Sequence, residues 1–232
     1  TFFEAYAAVE SASSSNKYFG AWKAECVNVR SAVPELPFSN PWLAQQLGPM
    51  IPKGAVLHLG ILNSLRSWNL FELDSSVLGF CNTGGFGIDG CVSSLIGASL
   101  ASPNKLFFGV VGDLACFYDL NSLGNRHVGS NIRLMVVNNG VGTEFKNFNH
   151  RAAQFAKEAD DYMAARGHFG RQSRDLLKHY ATDLGFEYLS ASNKDELLAV
   201  ADRFTTSELT SAPMLLEVFT DSKDESDALE SL

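Results

Sequence analysis

Six apolar runs, at residues 55–59, 77–81, 106–111, 132–137, 186–189 and 214–219, punctuate the chain, each of strand length and bounded by glycine, proline or polar residues. Most are continuous rather than alternating, as strands covered on both faces require. Between them, helical patterns run over residues 41–47, 90–100, 115–127, 171–184 and 194–203, the last opened by Ser192-Asn193 ahead of Asp195-Glu196. Strands alternating with helices predict an α/β domain: an open, mostly parallel sheet with helices on both faces. Ligands of such sheets sit beyond the carboxyl ends of the strands.

Three segments stand outside this alternation. Residues 2–10 read as an opening helix and the serine-rich residues 11–16 as a link, so residues 1–36 are expected to lead into one domain spanning 37–232. The acidic stretch from Asp221 reads as a solvated tail. Residues 145–169 carry Lys157, Glu158, Asp160, Asp161 and Arg166 with no strand pattern, and read as a mobile lid that orders with a cofactor or partner domain.

A chain of 232 residues with 46% hydrophobic content is long enough for one large core. Its net charge of −8 argues against nucleic acid or an anionic membrane as partner, so any phosphate must be held locally. Cys26, Cys81, Cys91 and Cys116 show no metal-binding spacing and read as reduced residues of a cytoplasmic protein. No stretch has the length and apolarity of a membrane span.

The chemistry concentrates at two strand ends. The run ending in Gly112-Asp113-Leu114 delivers a carboxylate, and the run ending in Asn138-Asn139-Gly140-Val141-Gly142 delivers a neutral amide oxygen. Twenty-three residues separate Leu114 from Asn138, enough for a helix and the return strand of a βαβ unit, which sets the two ends side by side. Each residue alone could be a cap or a turn. Together they form a hard-oxygen set suited to Mg²⁺ carrying a diphosphate, with the helix after Asp113 presenting N–H groups to the phosphates.

Gly-Asp followed about two dozen residues later by Asn-Asn resembles the motif of the thiamine diphosphate-dependent enzymes. Gly87-Ile88-Asp89-Gly90, Gly112-Asp113-Leu114, Tyr118-Asp119-Leu120-Asn121 and the lead-in Phe38-Ser39-Asn40-Pro41-Trp42 resemble the C-terminal pyrophosphate-binding domain of one family, 2-succinyl-5-enolpyruvyl-6-hydroxy-3-cyclohexene-1-carboxylate synthase. The resemblance spans residues 37–220. It implies that Asp113, Asn139 and the carbonyl of Val141 bind Mg²⁺, and that Gly87, Ile88, Gly112, Leu114, Ala115 and Gly142 join them around thiamine diphosphate. Ile88 would hold the cofactor bent, and Arg66 and Phe145 would meet the substrate.

Two departures modify that expectation. Thr83 stands where the synthase family has an arginine, and the first strand is followed by Gly60-Ile61-Leu62-Asn63-Ser64 rather than Gly-Asn-Ser. Loss of an arginine removes a bidentate carboxylate clamp, so the expected substrate is a related 2-oxo acid whose acceptor carries fewer carboxylates. Nothing in the chain resembles the pyrimidine-binding domain that starts the chemistry. The chain is therefore expected to be part of a longer or two-chain enzyme, inactive alone, with a homodimer as the whole. Two alternatives remain: a noncatalytic cofactor-binding or assembly subunit, and an NAD-binding Rossmann domain, since Gly85 to Gly90 spells G-x-G-x-x-G.

Overall fold

A computed structural model of the protein describes residues 17–85, 87–159 and 174–232. The expected opening helix and serine link, Phe86 of the glycine run, and residues 160–173 lie outside the described residues. The described residues divide into two compact units, residues 17–35 with Leu232 in one and those from 36 to 231 in the other. In the first, α1 (Lys17–Ser31) has no buried residue, and its Tyr18 and Trp22 rings meet edge to face at 6.3 Å.

The second unit is a six-stranded sheet. Its strands are β1 (Val56–Leu59), β2 (Leu78–Cys81), β3 (Phe107–Gly112), β4 (Ile132–Asn138), β5 (Glu187–Ala191) and β6 (Met214–Phe219), in the order β2-β1-β3-β4-β6-β5. Every ladder is parallel. On one face, Cys91, Val92, Leu95 and Ile96 of α4 (Cys91–Leu100), Ala115 and Cys116 of α5 (Asp113–Tyr118), and Leu177 and Ala181 of α6 (Leu176–Asp183) pack on Val56, Phe107, Ile132, Leu134 and Leu215. On the other, Phe204 of α7 (Lys194–Phe204) meets Phe108 edge to face at 5.8 Å, and Lys194 lies over the Trp42 ring of α2 (Asn40–Leu47). Strands β3, β4 and β6 are buried along almost their whole length, which explains their mostly apolar composition, with Arg133 of β4 and Glu217 of β6 buried among the apolar residues. Edge strand β2 instead leaves Leu78 and Phe80 about half exposed.

The predicted strands are present, with ends shifted by at most two residues. The helix expected over 115–127 is shorter: α5 stops at Tyr118 and a 3₁₀ segment, Leu120–Gly124, follows. Asp119 breaks it, because its carboxylate turns away to accept from Ser93 N at the start of α4. Among the described residues three α-helices had no counterpart in the pattern: α1, α3 (Asn63–Trp68) and α8 (Ser222–Glu230). The expected solvated tail is thus a packed helix. Asp221 caps it by accepting from Lys223 N at 2.7 Å, while Glu225 and Ala228 are buried.

Candidate functional site

The crossover from β3 to β4 brings Gly112 opposite Val137, so Asp113 and the Asn138-Asn139 pair emerge together at the carboxyl end of the sheet. Asp113 is the first residue of α5 and only 2% exposed. Its Oδ1 accepts from Leu114 N at 2.8 Å, and its Oδ2 accepts from Gly140 N at 2.9 Å. One carboxylate therefore ties the two strand ends together. Gly140 makes this approach in the left-handed region, at φ +73°, where a side chain would be strained.

The paired asparagines serve different neighbours. Asn138 Nδ2 donates at 2.7 Å to Glu217 of β6, whose other carboxylate oxygen accepts from Tyr188. Asn139 Oδ1 accepts from Val141 N at 3.2 Å, and the Val141 carbonyl accepts from the Thr143 hydroxyl at 3.4 Å. The amide oxygen and that carbonyl thus face a shared loop beside Asp113.

A cavity of about 420 Å³ opens here. Gly87, Ile88, Gly112, Asp113, Leu114, Ala115, Asn139, Val141, Gly142 and Phe145 all line it, so ten of the residues singled out in the sequence converge on one space. Ile88 is also packed against the core beneath the sheet end. The Phe145 ring stands edge to face with His150 at 5.3 Å.

Arg66 is the exception. It does not line the cavity, and its guanidinium is forked onto Glu144, with Nη1 donating at 2.7 Å and Nη2 at 3.0 Å. Sequence reasoning also missed Asn40, Glu144 and Glu225, all of which line the space. Glu225 Oε2 accepts from Asn40 N at 3.0 Å and Oε1 from Thr220 Oγ1 at 2.7 Å, while Asn40 Oδ1 accepts from Trp68 Nε1 at 3.1 Å. The one available signal for Asn40 was its place in the Phe38-to-Trp42 lead-in. An acid in an acidic stretch gave none for Glu225.

The charge of the lining is one-sided. Asp89, Asp113, Glu144 and Glu225 line it, and no lysine or arginine among the described residues does. Burial pushes the Asp113 carboxyl up to about 7, against the pull of its backbone hydrogen bonds, and pushes Glu225 up to about 7 likewise. A buried carboxyl with no cationic partner is costly when ionised, and a dication relieves that cost. The described residues hold no group of three or more His, Cys, Asp or Glu side chains fit for a metal, so the donors at the junction of the two strand ends are the Asp113 carboxylate, the Asn139 amide oxygen and the Val141 carbonyl. Such a set fits Mg²⁺, which takes few protein carboxylates and keeps positions for phosphate and water.

Comparison with known proteins agrees with this geometry. The chain is 33% identical over 213 residues to 2-succinyl-5-enolpyruvyl-6-hydroxy-3-cyclohexene-1-carboxylate synthase of Phocaeicola vulgatus, covering 90% of this chain and 35% of that protein. It is 34% identical over 187 residues to the synthase of that name from Bacteroides fragilis, covering 81% of this chain and 32% of the relative. A solved structure of the Rhodococcus jostii RHA1 thiamine diphosphate-dependent 4-hydroxybenzoylformate decarboxylase shares the fold, at TM-score 0.57 and 17% identity over 81% of this chain and 33% of that one. The chain is a relative of the thiamine diphosphate-dependent enzymes. It spans about a third of the length of the curated relatives it matches. No family model matches it.

This relationship does not favour the NAD reading, and the topology agrees. The glycine run follows the edge strand β2, with Asn82 to Gly84 intervening, whereas a dinucleotide turn leaves its strand directly. Among the described residues no helix is long and apolar enough to cross a membrane.

Proposed function

We propose that this chain is the Mg²⁺–thiamine diphosphate-binding domain of a cytoplasmic 2-oxo acid decarboxylase or carboligase. It would work with a pyrimidine-binding domain, in an enzyme that is a homodimer as a whole. The observation that carries the reading is Asp113: a buried carboxyl in a cavity with no lysine or arginine among its described lining residues, at the junction of two strand ends, beside the Asn139 amide and the Val141 carbonyl. The synthase and decarboxylase relatives support the reaction class.

In this reading Asp113, Asn139 Oδ1 and the Val141 carbonyl hold the metal, and phosphate oxygens and water fill the remaining positions. Asp113 gives up its proton on binding, because the dication stabilises the carboxylate. Gly112 and Gly142 let backbone come close to the diphosphate, and the N–H groups of Leu114 and Ala115 begin α5 beside it. Ile88 offers a fixed apolar surface to the cofactor rings, and Phe145 a wall on the substrate side. When bound, the cofactor supplies a nucleophilic carbon that adds to the 2-oxo acid and accepts the electron pair left by CO₂. Isothermal titration of the chain with thiamine diphosphate, with and without Mg²⁺, tests the assignment. Heat that requires both Mg²⁺ and Asp113 supports it; binding of NAD, or cofactor binding indifferent to Asp113→Ala, overturns it.

A further inference from the structure

We propose that Glu144 determines the charge of the substrate this site accepts: by occupying the Arg66 guanidinium, it turns that wall toward an uncharged, hydrogen-bond-donating substituent and away from a carboxylate. The inference rests on reading the cavity as the cofactor and substrate site.

Arg66 lies in the last turn of α3, beyond the end of β1, and Glu144 in the 3₁₀ turn Thr143–Lys146 that follows the metal loop. Their fork joins two elements that are 78 residues apart. Three of the five guanidinium N–H groups are engaged: beyond its two bonds to Glu144, Nη1 donates to Asn63 Oδ1 at 3.1 Å. The acid is the inner partner, 17% exposed at its side chain against 44% for the arginine. Glu144 lines the cavity and Arg66 does not.

A bidentate guanidinium–carboxylate pair is the geometry by which an arginine grips a substrate acid. Here an internal carboxylate already fills that place, positioned by its own chain at no cost in association entropy. An incoming carboxylate must displace it and then sit among Asp89, Asp113 and Glu225 with no cation from the described lining residues. Glu144 itself is an acceptor with lone pairs to spare, so hydroxyl or amide donors suit it. Thr83 adds no charge to offset this.

The test uses the whole chain and two small probes, succinate and succinamide, titrated while the Arg66 side-chain ¹⁵N–H resonances are followed by NMR. In the parent protein, succinate should leave those resonances unmoved. In Glu144→Gln, succinate should move them and bind at least about tenfold more tightly than to the parent, the equivalent of one charge-assisted bidentate contact. Succinamide should not gain. Glu144→Asp, which keeps the charge, should behave as the parent, and the double variant Glu144→Gln/Arg66→Met should lose the gain. The inference is overturned if succinate engages Arg66 equally in parent and Glu144→Gln, or if Glu144→Gln gains no affinity. Titrating the same samples with Mg²⁺ and thiamine diphosphate separates the two claims: a parent that binds neither refutes the functional reading, while the succinate series still decides the role of Glu144.

Discussion

Glu225→Gln should make the protein more stable at alkaline pH, although it removes a hydrogen-bonded side chain from the interior. The carboxyl is fully buried, and desolvation raises it from an ordinary 4.5 to about 7, outweighing the bonds from Thr220 and Asn40. A carboxyl raised by folding favours the native state only while protonated. Its contribution is complete below 4.5 and is lost as pH rises through 7. Between about pH 5 and about pH 8 the parent should therefore lose about 2.5 kcal/mol relative to the glutamine variant, at roughly 1.4 kcal/mol for each tenfold difference in proton affinity between folded and unfolded chain. Glutamine keeps an acceptor for Asn40 N and offers its NH₂ to the Thr220 hydroxyl, so little else changes. Asp113 titrates in the same range in both proteins, so most of its effect drops out of the difference. Urea unfolding without metal or cofactor measures it, followed through Trp42 and Trp68, both buried in the sheet unit and the latter bonded to Asn40. A stability difference that stays flat between the two pH values would refute the reasoning.

Four further outcomes follow from the same geometry. Asp113→Asn should weaken Mg²⁺-dependent cofactor binding by at least about 100-fold and abolish proton release, which in the parent should be near half a proton at neutral pH; calorimetry in buffers of different ionisation enthalpy reads both. Asn139→Ala should lose cofactor affinity with little loss of stability. Asn138→Ala should do the reverse, costing about 1–3 kcal/mol in urea unfolding because the buried Glu217 carboxylate loses a donor. Gly109→Ala should destabilise the sheet unit by about 1–3 kcal/mol, because its new Cβ would lie 2.5 Å from Leu95 Cδ2 and 3.2 Å from Leu134 Cδ1.

The central strands were legible because a strand covered on both faces is mostly apolar, and β3, β4 and β6 are, with Arg133 and Glu217 the charged residues within them. The convergence of the residues after β3 and β4 on one cavity was legible for a related reason: groups placed on strand ends are announced by the strands before them. The misreadings share another cause, since each turned on a polar side chain whose partner is remote in sequence. Asp119 ends α5 because Ser93 N is there to receive it. Glu225 is buried because Asn40 N and Thr220 Oγ1 converge on it. Arg66 is withdrawn because Glu144 folds back onto it. Charge runs look solvated in a sequence until the fold supplies such partners.

The strand order also has a consequence for how the sheet is made. β5 is synthesised before β6, yet its ladder is with β6, which also pairs with β4. As residues 187–191 leave the ribosome, they have no strand to bond with, and β4 presents an open edge. Only when residues 214–219 emerge can the gap close, so β5 and β6 join the sheet as one event. A nascent chain halted before Met214 would expose two unpaired edges and be a substrate for chaperones. α8 follows directly and seats Glu225 against Asn40, so a helix made after every strand completes a cavity begun some 185 residues earlier.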